Sequence, residues 1–409
     1  MRQSQASLPA PPQALIRTSA FALLGLVFAA VLAISYPGGW ALNVFQAGTY
    51  LLGLVWMALC LFRPFAWRMS VLLAPLTGAA LWGVWQLAAG RTVNRFETCQ
   101  GALAWGACLA IFLLSLQIFA SAGMRSWLRR ALLVFGFALS VVSVTQWFTS
   151  EGKIFWIFPT PYRDQVMGPF VSRDQYAAFI ELVLPLAMFE AIQSRRHKTA
   201  YALVAGVLFA SVIAGASRAG AILVTLELAT LLLLAGVVGH RTGEPSGRLL
   251  AKVSAFAVTF TLLVGWGLLW ERFHDPDPFK FRREMLASSV AMVRERPWTG
   301  FGLGAFDSAY PSFALFDIGM TVNHAHNDWA EWAADGGMPF FLLLAFVAAW
   351  AARKAFQAPW GIGVIAVFLH SLVDFPMQKL ALAAWVFLLL GALAARDHPD
   401  PTGIRGSLR

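Results

Sequence analysis

The chain has 409 residues, of which 58% are hydrophobic and only 13% are charged. A soluble domain carries about a quarter of its residues as charged side chains, so this composition excludes an ordinary soluble protein and predicts that lipid surrounds much of the chain. The net charge of +10 does not indicate nucleic-acid binding, because the basic residues lie in short clusters between apolar runs.

Twelve apolar segments along the chain approach the length of about 20 residues that a helix needs to cross a bilayer. We therefore predict an all-α polytopic membrane protein with about 12 transmembrane helices. The first segment is not followed by a cleavage site of small residues, so we expect an uncleaved span. The predicted spans begin near Thr18, Leu42, Ser70, Gln100, Ala131, Tyr176, Ala200, Ala219, Leu249, Met338, Trp360 and Leu380.

Every second loop between these segments carries a basic cluster. Cytoplasmic loops are enriched in Lys and Arg, so the alternation places both chain termini in the cytoplasm. We expect a cytoplasmic N-terminus over 1–17, a transmembrane domain over 18–396 and a cytoplasmic tail over 397–409. The clusters are Arg63 and Arg68; Arg125, Arg129 and Arg130; Arg195, Arg196 and Lys198; Arg241 and Arg248; Arg353 and Lys354; and Arg396, Arg405 and Arg409.

Two loops on the opposite, periplasmic face are long, at 150–175 and 271–337. The second contains His274, His324 and His326 together with many of the acidic residues. Long loops in a compact protein are usually functional. We therefore expect the chemistry on this face, with short helices inside the large loop.

Arg218 lies between two apolar runs at the outer end of its predicted span. A charge at that depth is costly and marks a functional site. Its small neighbours would let a head group approach, and a guanidinium can bind phosphate in a bidentate manner. The alternative is an arginine that snorkels to the membrane interface.

Arg282 and Arg283 open a segment with helical periodicity in the large loop. A basic start on such a helix could meet lipid phosphate, and a solvated surface face is the alternative. The run from Gly300 to Gly304 resembles a phosphate loop but lacks the flanking strand and helix of a nucleotide fold. We interpret it as a tight turn.

The densest group of polar residues lies at the end of the large loop. A helix is predicted to begin at Asn327 or Asp328, with Asp328 and Glu331 at capping-box spacing. The Gly336-Gly337 pair is predicted to end it.

The histidines His324 and His326 precede that helix. A neutral imidazole there can accept a proton from an attacking hydroxyl, and Glu331 can orient it. Two alternatives remain: the polar residues solvate a helix start, or His324, His326 and Asp328 bind a metal. No second ligand cluster in the sequence supports the metal site.

Further ionisable residues accompany the outer loops and span ends. Such residues face protein or water rather than lipid, so we expect them to line one outer cavity. They are Arg173, His324, Asp328, His370 and Asp374.

Five segments within 168–376 together resemble the O-antigen ligase and Wzy-type polymerase superfamily, in the family's order. They are the G-x-F-x-x-R-x-x-x-A stretch from Gly168 to Ala177, the S-R-[GA]-G element from Ser217 to Gly220, the R-P-x-x-G-x-G-x-G-x-F run from Arg296 to Phe306, the H-N-D-x-x-E-x-x-x-x-G element from His326 to Gly336 and the H-S-L-V-D-F-P element from His370 to Pro376.

The resemblance implies a GT-C-like helical fold in the bacterial inner membrane. It also implies transfer of a glycan from an undecaprenyl-diphosphate carrier to an acceptor, without metal, nucleotide or other cofactor. The family's catalytic histidine corresponds to His326. Its diphosphate-binding arginines correspond to Arg218 and to one of Arg282 or Arg283.

We therefore predict an inverting, metal-independent glycosyltransferase of the O-antigen ligase type, whose partners are the lipid-linked donor, membrane lipid and the lipid A core. A repeat-unit polymerase with a second lipid-linked glycan as acceptor, or a protein O-glycosyltransferase, remains open. From other classes, a twelve-span secondary transporter and a metal-dependent membrane hydrolase are the alternatives, although the chain shows no transporter-like repeat.

Overall fold

The computed structural model describes residues 8–36, 39–194, 196–242, 247–277, 279–316, 319 and 321–399. Within these ranges every regular element is helical, which confirms the predicted all-α fold. Parts of the predicted cytoplasmic ends, and Arg195, Arg405 and Arg409 of the basic clusters, lie outside the described residues.

Fifteen α-helices follow one another along the chain. They are α1 (Gln13–Leu32), α2 (Trp40–Phe62), α3 (Leu73–Ala88), α4 (Arg95–Ile118), α5 (Ala122–Thr149), α6 (Arg173–Gln193), α7 (Lys198–Gly215), α8 (Arg218–Thr242), α9 (Gly247–Val264), α10 (Gly267–Phe273), α11 (Lys280–Glu295), α12 (Phe306–Ala309), α13 (Asp328–Gln357), α14 (Ile362–His370) and α15 (Leu380–Ala394).

Nine helices in the described part of the chain are long and apolar enough to cross a membrane: α1, α2, α4 to α8, α13 and α15. Helix α9 is long and apolar enough only together with α10, and the two are bent by 89° relative to each other. Helix α3 has 16 residues, and α14 forms a short apolar segment with the preceding 3-10 turn. All twelve predicted segments are thus helical, while the count of twelve spans stays a prediction.

Helices α6 and α15 form the centre of the bundle, and 89% of the most apolar stretch of each is buried. Helix α15 is apolar on all sides, which is the pattern of a fully enclosed helix. Its Trp385 packs edge-on against Phe179 of α6, with ring centroids 4.9 Å apart. Helix α6 carries Arg173, Asp174 and Glu181, and its central place gives these charged groups protein neighbours instead of lipid.

The large outer loop contains short helices, as predicted. Its helix α11 is anchored by the buried Glu284, which accepts hydrogen bonds from Ser288 Oγ at 2.8 Å, from the Leu315 amide at 3.0 Å and from the Tyr310 hydroxyl. Burial, reinforced by that contact with Glu284, raises the pKa of Tyr310. The loop is therefore a folded cap.

The run from Gly300 to Gly304 is a tight turn, as predicted, with positive φ at all three of its glycines. The buried Gln86 of α3 holds this turn: its Nε2 donates to the Thr299 carbonyl at 2.7 Å, and its Oε1 accepts from the Leu303 amide at 3.0 Å. The turn thus ties the outer cap to the transmembrane bundle.

Helix α13 begins at Asp328, but the predicted capping box is wrong. Asn327 is the N-cap and accepts from the Ala330 amide at 3.0 Å. The carboxylate of Asp328 instead accepts from Ser371 Oγ at 2.7 Å and from the Met377 amide at 2.9 Å. Asp328 is already inside the first helical turn, so its side chain is directed at the neighbouring chain segment.

The predicted helix end at Gly336-Gly337 is a sharp kink within α13, where Gly337 has φ 72° and ψ 178°. Amides of the tight turn bind the carbonyls released there: Phe301 N lies 3.1 Å from Ala334 O, and Gly302 N lies 2.9 Å from Asp335 O. A membrane helix can break only where other groups replace its lost hydrogen bonds. The turn and the kink therefore support each other.

Candidate functional site

The site is built where the start of α13 meets the segment that follows α14. The Asp328 amide donates to the Ser371 carbonyl at 2.8 Å, and Asn327 Nδ2 donates to the Leu372 carbonyl at 2.8 Å. Between these contacts, His326 Nδ1 donates to Asp374 Oδ1 at 3.0 Å, across 48 positions of sequence. The backbone contacts therefore fix the distance between the imidazole and the carboxylate.

The contact with Asp374 gives the two ring nitrogens of His326 different hydrogen-bonding roles. A carboxylate partner holds the proton on Nδ1, which leaves Nε2 as the acceptor of a neutral ring. Asp374 is 2% exposed at its side chain, whereas His326 is 34% exposed. The geometry is that of a general base with an orienting carboxylate, open to an incoming hydroxyl.

Glu331, which we expected to orient His326, contacts the other histidine. It accepts from His324 Nδ1 at 2.9 Å and from the Ala325 amide at 2.8 Å. His326 has a positive φ of 50°, and this left-handed turn separates the two imidazoles. They lie against the ring of Phe375, His324 stacked at 4.5 Å and His326 edge-on at 4.7 Å between centroids.

Arg282 connects the two histidines, His324 and His326 (the histidine pair), to a neighbouring cavity. Its Nη1 donates to the Val373 carbonyl at 2.7 Å, and its Nη2 lies 3.3 Å from Asp174 Oδ2. The same Nη2 lies 3.8 Å from Asp374 Oδ1, the oxygen that His326 contacts. One carboxylate oxygen is therefore shared by the candidate base and an arginine.

The cavity beside Arg282 (the arginine cavity) has a volume of about 400 Å³. Its lining contains arginine side chains and apolar side chains. Arg218 at the start of α8, Arg272 of α10 and Arg282 of α11 line it, together with Asp174. Arg218 Nη1 donates to the Arg272 carbonyl at 3.0 Å. Arg218 Nη1 also lies 3.7 Å from Asp275 Oδ2. Three guanidinium groups lining one cavity suit a multiply charged anion with an apolar tail. The apolar lining residues are Ala219, Ile222, Leu223, Phe273, Phe279, Leu369 and Val373.

The neighbour of Arg282 does not line this cavity. Arg283 Nη2 lies 2.7 Å from both carboxylate oxygens of Asp277, and its side chain is 68% exposed. Of the two adjacent arginines, Arg282 is thus the one that can contact an anion bound there.

Arg272 and Lys379 are site residues that no sequence motif indicated. Arg272 follows the apolar run of α10 as an isolated arginine, so only the tertiary structure brings it to Arg218. Lys379 Nζ lies 5.1 Å from the ring centroid of Phe375. Burial lowers the pKa of Lys379, while the negative charges of Glu331, Asp374 and Asp328 oppose this shift.

The expectation of one cavity lined by five ionisable residues is wrong for Asp328 and His370. Both are buried completely, Asp328 in its bonds to the segment after α14 and His370 against Glu181 at 2.7 Å. Arg173 lines a separate cavity of about 640 Å³, which also includes Arg272. His324 is one member of the histidine pair, and Asp374 contacts the other member, His326. Asp374 also lies next to Arg282 of the arginine cavity.

The three side chains of the possible metal motif diverge. His324 contacts Glu331, His326 contacts Asp374 and Asp328 contacts Ser371. In the ranges covered by the structure, no group of three His, Cys, Asp or Glu side chains is arranged to hold a metal ion.

A model of the O-antigen ligase family matches residues 199–347. This range includes Arg218, Arg272, Arg282 and His326. The chain carries an O-antigen ligase domain. A search of curated proteins found no match.

The O-antigen ligase domain confirms the resemblance seen in the sequence motifs. Together with the apolar helices, it indicates a bacterial membrane protein and an enzyme of the ligase or polymerase type. The substrates of this family are, in general terms, a lipid-linked glycan and an acceptor.

Proposed function

We propose that this chain transfers a glycan from an undecaprenyl-diphosphate carrier to a hydroxyl of the lipid A core, on the periplasmic face of the inner membrane. The observation that carries the proposal is the shared oxygen of Asp374, 3.0 Å from His326 Nδ1 and 3.8 Å from Arg282 Nη2. It couples a base for the acceptor to a cation for the leaving group.

In the proposed reaction, His326 Nε2 accepts the proton of the acceptor hydroxyl as its oxygen bonds to the anomeric carbon of the donor. The bond from that carbon to the diphosphate oxygen breaks, and the diphosphate leaves with the electron pair. Attack opposite the leaving group inverts the anomeric centre. Asp374 stabilises the imidazolium, and the arginines stabilise the growing negative charge, so no metal is required.

The apolar walls of the arginine cavity support a polyprenyl carrier. Ile222 of the candidate membrane helix α8 is 51% exposed, and Leu369 of the short apolar helix α14 is 48% exposed. Exposed apolar side chains on such helices are suited to contact with lipid tails, which supports a cavity open to the bilayer on this side. A diphosphate could bind the arginines while its hydrocarbon chain stays in the membrane.

The test is a lipopolysaccharide gel from a deletion strain complemented by the wild type, His326→Ala, Arg218→Ala or Arg283→Gln. We expect loss of the O-antigen ladder and accumulation of lipid-linked glycan in the deletion strain and with the first two variants. Arg283→Gln, outside the cavity, is expected to restore the ladder.

Other outcomes of the same gel would change the assignment. Cores capped by a single repeat would identify a repeat-unit polymerase. An unchanged ladder in the deletion strain would overturn both lipopolysaccharide roles. Full restoration by His326→Ala would remove the histidine from the mechanism even if the ligase activity stands.

A further inference from the structure

A third cavity lies at the opposite end of the helix bundle from His326. Its volume is about 500 Å³, and the ends of α5, α6 and α13 contribute to its lining. Helix α6 starts at the arginine cavity and ends here, and its 21 residues span about 30 Å. This length equals the thickness of a bilayer core, which puts this cavity and the arginine cavity at opposite ends of one candidate membrane span.

Three arginines line this third cavity: Arg125 and Arg129 of α5, and Arg396, which follows α15. Glu190 of α6 is bound to Arg129, with Oε1 3.0 Å from Nε. The nearby Asp397 is paired with Lys354. Glu190 balances the charge of Arg129, while among the described residues no carboxylate lies within salt-bridge distance of the Arg396 guanidinium.

Arg129 and Arg396 are held in place by neighbouring groups that use only some of their guanidinium N–H donors. The guanidinium carbon of Arg129 lies 4.7 Å from the ring centroid of Phe189 and 5.7 Å from that of Trp360. Arg396 Nη1 donates to the Gln357 carbonyl at 3.0 Å. The terminal nitrogens of Arg129 and Nη2 of Arg396 have no hydrogen-bond partner in the part of the chain that the structure describes. Each guanidinium has five N–H donors, so both can bind an anion.

The remainder of the lining is mostly apolar, and includes Phe189, Ile192, Leu234 and Trp360. We propose that this cavity binds an anionic phospholipid, with its phosphate at the three arginines and an acyl chain along the apolar wall. Basic pockets between membrane helices on the cytoplasmic side bind anionic lipid head groups, and a guanidinium matches phosphate in a bidentate manner. The charge pattern of the loops predicts that this face is cytoplasmic.

The test compares the thermal unfolding of the full-length protein in nonionic detergent with added phosphatidylglycerol or phosphatidylcholine at equal mole fraction. We expect phosphatidylglycerol to raise the Tm by about 3 °C more than phosphatidylcholine does. Arg125→Gln and Arg396→Gln should each weaken its binding about fivefold. Native mass spectrometry should show a larger fraction of the wild type than of these variants retaining phosphatidylglycerol.

The matched control is Arg130→Gln. Arg130 is the neighbour of Arg129 on α5, binds Ser126 and does not line the cavity. It reports general attraction of the basic membrane face for anionic lipid, so we expect its variant to behave as the wild type. If Arg396→Gln fails to fold, the comparison of Arg125→Gln with Arg130→Gln carries the same test.

Three results would overturn the proposal. The first is an equal Tm shift with both lipids, and the second is equal loss of phosphatidylglycerol from Arg130→Gln and the cavity variants. The third is a Tm shift with inorganic phosphate alone that phosphatidylglycerol does not increase, which would identify a soluble phosphate ligand. None of these results depends on the glycan-transfer assay.

Discussion

Asp374 is the residue on which the two halves of the proposed chemistry meet. Its Oδ1 contacts both His326 and Arg282, and its side chain is 2% exposed. A buried carboxylate needs charged or hydrogen-bonding partners to remain ionised. The imidazole and the guanidinium are therefore partners of the carboxylate as well as candidates for contact with the substrate.

Asp374→Asn should reduce glycan transfer by about 100-fold or more, the size of a general-base contribution. An amide cannot stabilise the imidazolium that forms when His326 accepts the acceptor proton. The measurement is the transfer rate of purified protein, with thermal unfolding as a check of folding. Asp277→Asn, which affects only the exposed pair with Arg283, is the control. A rate within about twofold of the wild type for Asp374→Asn would contradict the orienting role.

Arg282→Gln and Arg283→Gln form a matched pair of adjacent substitutions. We expect Arg282→Gln to slow transfer about 100-fold or more, because an electrostatic donor to the leaving diphosphate is lost. We expect Arg283→Gln to change the rate by less than about twofold, because its partner is an exposed surface carboxylate. The opposite ranking would assign the diphosphate contact to Arg283.

The double variant Asp374→Asn with Arg282→Gln tests whether these two residues act together. Groups in contact give non-additive effects, whereas distant groups add. We expect the double variant to lose less activity than the product of the two single losses. Transfer rates that multiply fully would show that the 3.8 Å contact carries no coupling.

At the scale of the elements, the kink in α13 positions the start of that helix, which follows His326, relative to its long apolar part. Gly337 adopts a backbone conformation that is almost restricted to glycine. A Cβ at this position would lie 2.8 Å from the Trp298 carbonyl carbon and 2.9 Å from the Pro297 oxygen. The outer cap therefore packs on the kink so closely that no side chain fits.

Gly337→Ala should destabilise the protein by about 2 kcal/mol through backbone strain, before any cost of the close contacts. The measurement is thermal unfolding in detergent. Gly236→Ala in α8 is the control, because a Cβ there would meet nothing within 4 Å. Alanine is also the better helix former, so this control should be neutral or stabilising. Equal Tm values for the two variants would disprove the strain at the kink.

At the scale of the whole molecule, the predicted orientation can be tested with alkaline phosphatase, which is active only outside the cytoplasm. Fusions after Gly152 and after Asp277 should be active, because both positions lie in the predicted periplasmic loops. Fusions after His197 and after Gln357 should be inactive, because these positions belong to the predicted cytoplasmic face. An active fusion after Gln357 would reverse the assignment of the two cavities to their membrane faces.

Much of the architecture follows from the sequence by itself. Hydrophobic runs predict membrane helices because unpaired backbone groups are costly in lipid, so every segment that crosses the bilayer must satisfy its own hydrogen bonds. The three glycines from Gly300 to Gly304 predict a tight turn because their conformations are open mainly to glycine. The five motifs within 168–376, which follow the family's order, indicated the O-antigen ligase superfamily. The domain match at residues 199–347 confirms it.

The choice of partners within the site was decided only by the tertiary structure. Adjacent residues on a helix lie about 100° apart around its axis, so Arg282 faces the cavity while Arg283 faces solvent, although the sequence does not distinguish them. The sequence places Glu331 closer to His326 than Asp374, but the left-handed turn at His326 directs Glu331 to His324 instead. Chain proximity cannot predict such pairing, because the partner carboxylate arrives from a segment 48 positions away and is fixed by packing.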